Sequence, residues 1–504
     1  MKRYFLALFV LLLLLSACGD PGATTNGTNA TMTCNHCDLD DNGQCDICRV
    51  SVIVYIDFYN INDLHGKMAD GENHPGVDEL STFLHSSAER DDHVILLSSG
   101  DMWQGSAESN MTKGLIITDW MNEMGFVAMT LGNHEFDWGE QFIADNAKLA
   151  QFPFLAINVY DKETNSLVEY CQPSVVVERG GLQIGIIGAI GDCYSSISPD
   201  HTKGIYFKTG DELTALVKAE SQRLRESGVD FIVYAIHDGY GRSNNGNLES
   251  VSNGQIKSYY DTSLSDGYVD LVFEGHSHQR YLLQDSYGVY HLQGGGDNDG
   301  ITHVEIGINF LTGTCAVGQR HYYSTSTYEH LPDSPVVEQL MEKYQEMIAP
   351  SNRIVGYNAT YRSSDYLRQL VAQLYLQTGM EKWGADYDIV LGGGFLSVRS
   401  PYDLSAGEIS YATLQAIFPF DNELVLCSVK GSDLLNKFIN SKNDNYFIAR
   451  SDNRQIDPNG TYYIIVDSYT STYAPNRLTE IARFGAPVYA RDLLAEYITA
   501  GGLA

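Results

Sequence analysis

Ala128-Met129-Thr130-Leu131 is a short apolar run. It breaks into Gly132-Asn133-His134-Glu135-Phe136-Asp137. An Asn-His pair after a tight glycine turn has few packing reasons to exist. Four other apolar runs end in the same way. Val52 to Tyr59 is followed by Asn62-Asp63-Leu64-His65-Gly66, and Val94 to Leu97 by Ser98-Ser99-Gly100-Asp101. Phe231 to Ile236 is followed by His237-Asp238-Gly239, and Leu271 to Phe273 leads into Glu274-Gly275-His276-Ser277-His278. Helix-like stretches separate them, such as Asp211 to Ser227 with Leu213, Leu216, Val217, Ala219 and Leu224. Strand, polar loop, helix is the grammar of a layered α/β sheet. In such sheets ligand sites form where loops leave the carboxyl ends of strands. Carboxylate, carboxamide and imidazole are ligands for first-row metals such as Zn and Mn, and residues of these types can build two sites that share a bridging carboxylate.

The order D-x-H, G-D, G-N-H-E, H, G-H-x-H resembles the calcineurin-like metallophosphoesterases. Gly132-Asn133-His134-Glu135-Phe136-Asp137 with Gly139 is similar to the 5′-nucleotidase and UDP-sugar hydrolase branch. The resemblance implies a four-layer α-β-β-α metallophosphoesterase sandwich and then a second, α+β 5′-nucleotidase C-terminal domain. It implies two divalent ions, Zn, Mn or similar. One would take Asp63, His65, Asp101 and His278; the other would take Asp101, Asn133, His237 and His276. Relatives often carry Gln where this chain has His278. Two ions about 3.5–4 Å apart lower the pKa of a shared water, and the hydroxide attacks phosphorus in line. His134 would donate to a phosphate oxygen or to the leaving alkoxide, and Asp137 would orient it. Gly294-Gly295-Gly296 lacks a following Lys-Ser/Thr and reads as a turn.

The second block begins after a helical pattern from Ser334 to Ile348, with Pro335 near its start and Pro350 beyond its end. Leu391-Gly392-Gly393-Gly394, Arg399 and Phe418-Pro419-Phe420-Asp421-Asn422 resemble the family's C-terminal domain. By that resemblance Phe420 would stack a nucleobase, Asn422 would contact it, and Arg399 and Arg362 would meet anionic groups. The family's aromatic-Gly-Gly-Asp-Gly phrase is missing. The corresponding stretch runs Asp467 to Pro475, where Tyr469 or Tyr473 could supply a second ring, and the acidic group that would hold the nucleoside has no counterpart.

The chain opens Met1-Lys2-Arg3, then runs apolar from Tyr4 to Leu15 and ends Leu15-Ser16-Ala17-Cys18. This reads as an export signal, too short to span a bilayer, with a lipobox whose Cys18 is lipidated. The expected location is the outer face of the bacterial cytoplasmic membrane, held by the lipid alone. Cys34, Cys37, Cys45 and Cys48 form C-x2-C-x7-C-x2-C around a D-x-D-x-N-G half-loop. A structural Zn, two disulfides or a Ca ion are the open readings. Cys171, Cys193, Cys315 and Cys427 are scattered, as disulfides or as free thiols. The expected organisation is a signal over 1–18 and a tether with the four-Cys module over 19–50. The catalytic domain follows over 51–328, a linker helix over 329–358, and a substrate-specificity domain over 359–504.

The chain has 504 residues, of which 43% are hydrophobic, so sizeable cores can form. Lys and Arg number 32 against 64 Asp and Glu, a net charge of −32. A chain this acidic is a poor binder of nucleic acid polymers. Bound metals would supply the cations that a small phosphorylated ligand needs. The leading expectation is an exported 5′-nucleotidase. The alternatives are a UDP-sugar or 2′,3′-cyclic-nucleotide hydrolase on the same scaffold and, more remotely, a non-catalytic surface binding lipoprotein.

Overall fold

The structure is a computed structural model. It describes residues 38, 43–46, 48–70, 75–88, 93–240, 260–311, 315–396, 398–399, 403–473 and 478–503. The export signal, Cys18, Cys34 and Cys37 lie outside the described residues. Cys45 is buried and Cys48 is exposed, and Cys171, Cys193 and Cys427 are buried free thiols.

Two six-stranded sheets face each other. The first runs Cys315–Ser324, Gly300–Asn309, Ile53–Ile61, Val94–Ser98, Ala128–Thr130, Phe154–Leu155 in space. The second runs Arg280–Gln284, Tyr290–Gly294, Leu271–Phe273, Phe231–His237, Leu182–Ile190, Ser174–Arg179. The central strands are parallel and the edges antiparallel, except that Phe154–Leu155 joins the first sheet in parallel. Phe231–His237 shows why its sequence is apolar throughout. Phe231, Val233 and Ala235 enter the core between the sheets with Ile56, Phe58 and Ile95. Ile232, Tyr234 and Ile236 point the other way, against Leu213, Val217 and Leu224 of the helix Asp211–Glu226. Strands buried on both faces cannot alternate in polarity. The outer face of the first sheet is covered by Leu80, Leu84, Ile116, Ile117 and Trp120 from helices. The result is the α-β-β-α sandwich, and parallel strands of both sheets deliver their carboxyl ends to one edge.

The pattern from Ser334 to Ile348 forms the helix Pro335–Lys343, with Ser334 at its N-cap, and a short turn Gln345–Ile348. Its Val337, Leu340 and Ile348 pack in the same core as Trp120.

Beyond it lies a five-stranded sheet ordered Tyr446–Arg450, Ile389–Phe395, Thr461–Asp467, Leu424–Lys430, Leu478–Arg483. The helix Ser364–Trp383 covers one face through Leu367, Val371, Tyr375 and Leu376. The glycine run lies inside the strand Ile389–Phe395. A Cβ on Gly392 would sit 2.3 Å from the Leu376 backbone nitrogen. At this position glycine lets helix and strand backbones touch. Among the described residues no helix is long and apolar enough to cross a membrane.

Candidate metal centre and adjoining cavity

Each polar strand end reaches the same point. Asp63 and His65 follow the strand Ile53–Ile61, Asp101 follows Val94–Ser98, and Asn133 and His134 follow Ala128–Thr130. His237 ends its strand, and His276 and His278 follow Leu271–Phe273. Asp63, His65 and His278 bring one ligand atom each within 4.8 Å of one another, and so do Asp63, Asp101 and His237. The carboxamide joins through Asn133 Oδ1, 3.0 Å from His276 Nδ1. Asp63 belongs to both of these groups, whereas the resemblance gives the bridging place to Asp101.

Five of these residues hold left-handed backbone: Asp63 (φ 51°), His65 (52°), Asp101 (56°), His276 (67°) and His278 (52°). Such residues cost of order 1–3 kcal/mol each and cluster at functional sites. The surroundings fix them. Asp63 N–H donates to the Gly100 carbonyl at 2.9 Å and His65 N–H to the Asp101 carbonyl at 3.1 Å. His276 N–H donates to Asp63 Oδ2 at 2.9 Å. Asn62 Nδ2 donates to Asp63 Oδ2 at 2.6 Å and to the Gly295 carbonyl at 2.7 Å. The Gly294-Gly295-Gly296 turn thus serves the site indirectly. A Cβ on Gly296 would stand 2.7 Å from the His278 ring.

The chemistry of the donor set tests whether cations fit. His65 Nδ1 is committed to the Gln104 carbonyl at 3.0 Å and His237 Nδ1 to the Ser99 carbonyl at 2.7 Å. A neutral imidazole that donates from Nδ1 carries a lone pair on Nε2. His65 Nε2 meets His278 Nε2 at 3.0 Å. His237 Nε2 meets Asp101 Oδ2 at 3.0 Å, and it is buried without a hydrogen bond. Lone pairs facing one another or a carboxylate repel, and cations between them make the contact attractive. The residues therefore fit two divalent ions.

The titrating groups show the same demand. Burial alone would lower the His237 pKa, but the carboxylates of Asp101 and Asp63 outweigh it and raise it to about 10. Burial would raise Asp101, yet His237 and His134 hold it well below the usual carboxylate range. Burial, helped by His237, lowers His276 to about 4.

Glu135 is a functional residue that reading the motif did not single out. Its fully buried carboxylate accepts the backbone N–H groups of Gly132 (2.7 Å), Asp101 (3.0 Å), Met102 (2.8 Å) and Trp103 (3.3 Å). It locks the loop carrying Asp101 to the loop carrying Asn133. Burial and the Asp101 charge raise its pKa to about 7.

His134 sits on the 3-10 turn His134–Phe136. Its N–H donates to Asp101 Oδ1 at 2.8 Å, and its Nδ1 lies 2.7 Å from Asp137 Oδ2. Its ring is 5.3 Å from the His65 ring and 5.9 Å from the Phe420 ring. It stands between the metal cluster and the second block.

There a cavity of about 240 Å³ opens. Asn133, His134, Asp137 and His276 line one end, and Phe395, Phe420, Asn422, Asp467 and Tyr469 line the other. Ser196, Ser198 and His201 close a side, and no residue pattern had marked them. The Tyr469 ring lies 5.7 Å from that of Phe395. Lys113 holds Asp421 at 2.8 Å across the two blocks, and Arg491 pairs with the same carboxylate and donates to the Phe420 carbonyl at 3.0 Å. These bonds hold the Phe420 loop against the catalytic sandwich.

Arg399 is buried and donates to Oε1 of Gln104, the same residue whose carbonyl holds His65, at 2.7 Å; it lies 5.9 Å from the Phe420 ring, behind the cavity lining. Its Nε and Gln104 Nε2 have no partner. Arg362 departs from expectation. Its backbone pairs with Leu404 and its guanidinium lies over the Tyr366 ring at 4.7 Å, and it does not line the cavity, because the bridge to Leu404 fixes its place. Tyr473 ends the helix Ser468–Tyr473, and its side chain lies outside the description.

A pair of cation sites at the lip of a sandwich answers the need of a phosphate ester, whose oxygens must be neutralised as the bond to phosphorus changes. The class is that of the metal-dependent phosphoester hydrolases. In agreement, residues 56–280 match the family model described as calcineurin-like phosphoesterase. The chain is 25% identical to the protein UshA of Yersinia enterocolitica over 81% of its length and 80% of that protein's. It is 25% identical to a 5′-nucleotidase of Vibrio cholerae over 68% of this chain and 66% of that one. Its fold is similar to the crystal structure of a 5′-nucleotidase precursor from Thermus thermophilus (TM-score 0.65, 18% identity, 90% of this chain and 97% of that one). The chain thus carries a calcineurin-like phosphoesterase domain over residues 56–280, and over most of its length it is similar to UshA and to 5′-nucleotidases.

Proposed function

We propose that this chain releases phosphate from nucleoside 5′-phosphates outside the cytoplasmic membrane. The observation that carries the reading is the place of His134, flanked by His65 on one side and Phe420 on the other. A ligand with a phosphate at one end and a flat ring at the other spans that geometry.

Asp63, His65, Asp101 and His278 would hold one ion, and Asp101, Asn133, His237 and His276 the other. When bound, the two ions supply charge neutralisation and an activated water for in-line attack. The chain's own residues do the rest. Arg399 offers a cation to the phosphoryl group, in a place where burial makes it count. With Nδ1–H bonded to Asp137, His134 has Nε2 left for the substrate. Protonated there, it donates to a phosphoryl oxygen and then to the departing 5′-oxygen. Phe420 and Tyr469 offer ring faces to the base, and Asn422 a polar edge. Asp467, buried on the cavity wall with Asp137 and Asp421, adds an acidic group to this pocket.

The test is a panel of AMP, UDP-glucose, 2′,3′-cyclic AMP and p-nitrophenyl phosphate, with a coupled phosphatase for the diester and pyrophosphate. AMP turnover far above the others is expected. A higher rate with UDP-glucose or the cyclic diester would replace the monoester reading. Residues 1–18 extend the proposal to an exported lipoprotein. Cys18→Ala abolishes membrane retention in that account, and unchanged retention would refute it.

A further inference from the structure

Cys193 is a buried thiol that none of the chemistry above uses. It sits on the 3-10 turn Asp192–Ser196, just after the strand Leu182–Ile190, and its Sγ donates to the His237 carbonyl at 2.9 Å. Ligand atoms of Cys193, His237 and His276 all lie within 4.8 Å of one another. The second observation is His237 itself. It is fully buried, its Nδ1 is held by Ser99, and the remaining nitrogen, Nε2, faces Asp101 Oδ2 at 3.0 Å without a hydrogen bond, as an ion between them would require. The Gly100 loop keeps the imidazole from turning away, since a Cβ there would stand 2.6 Å from His237 Nδ1.

We infer that Cys193 is a sulfur ligand to the ion held by His237 and His276, and that it biases this site toward thiophilic ions. Thiolate sulfur binds Zn(II) at about 2.3 Å and imidazole nitrogen at about 2.0–2.1 Å, so three such atoms around one ion lie closer together than the observed spread. A small side-chain rotation closes the difference. Oxygen and nitrogen donors alone leave Mn(II) competitive, whereas a sulfur donor favours Zn(II), Cd(II) and Co(II). The inference rests on the two-metal reading of the centre.

The experiment loads the full chain with Co(II) and compares it with Cys193→Ser by absorption. The four-Cys module contributes equally to both, so the difference spectrum isolates Cys193. A near-ultraviolet sulfur-to-cobalt charge-transfer band in the wild type that is lost in the variant is expected. So is a fall in Zn(II) affinity of about tenfold or more, with Mn(II) affinity nearly unchanged. Visible ligand-field bands from His-rich sites with no difference in the near ultraviolet would overturn the role of Cys193 alone. No Co(II) bound at the histidines would overturn the two-metal reading as well. Cys193→Ala gives the same comparison if serine disturbs the fold.

Discussion

His134 Nδ1 lies 2.7 Å from Asp137 Oδ2, three residues along one short turn, while the His134 backbone N–H donates to Asp101. The imidazole is thus oriented by a carboxylate without standing among the metal-ligand clusters. His134→Ala should lower kcat by about 10²-fold or more while both ions stay bound. Metal content by mass spectrometry beside phosphate release checks this. An emptied site would move His134 into the ligand set.

Asp101 touches His237 through one oxygen and the His134 backbone through the other. In the proposed bridging place, Asp101→Asn weakens both ions together. Titration with Mn(II) should show two equivalents lost in parallel. Loss of only one would give the bridge to Asp63, the carboxylate common to the two groups of ligand atoms.

Most of the layout of the catalytic half was legible in the sequence, because the seven candidate ligands sit at the ends of five apolar runs. A polar residue at the end of a buried parallel strand is seen in one dimension. What could not be read depends on distant parts meeting. Glu135 looks like one more letter of a motif until its carboxylate is found on four backbone N–H groups from two loops. Gln104 matters because Arg399 reaches it across 295 positions. In the sequence the Gly392 run is only part of a family resemblance, whereas in the fold the approach of the helix Ser364–Trp383 accounts for its glycine. Arg362 shares a sequence neighbourhood with the second block but not its cavity.

Asp467 should make stability depend on pH. Burial raises its pKa from 3.8 to about 6. The native state therefore holds a proton that the unfolded chain has lost between those values, and stability falls as pH rises through that window. Above pH 6 the buried charge costs about 3 kcal/mol, from a pKa difference of roughly two units. Asp467→Asn keeps an oxygen for the Thr470 N–H, which donates to Asp467 Oδ1 at 2.7 Å. The variant should melt higher than wild type at pH 8 and about equally at pH 4. Equal melting at both pH values would place the carboxyl in a more polar setting.

Phe420 and Arg399 should separate base from phosphate. Phe420→Ala removes a stacking face worth about 1–3 kcal/mol, so KM for AMP should rise roughly 5- to 150-fold. KM for p-nitrophenyl phosphate should change far less. Arg399→Met should raise KM for both substrates, since both carry the phosphoryl group. Steady-state kinetics on the two substrates reads the split.

The most direct test of the central claim is a Mn(II) titration of the chelator-treated full chain, with AMP hydrolysis followed at each step. Mn(II) suits the oxygen and nitrogen donors of the centre and is a poor match for four cysteines. Activity that is absent at the start and saturates at two ions per chain is the predicted result. Full activity without bound metal, or saturation at a single ion, would contradict it.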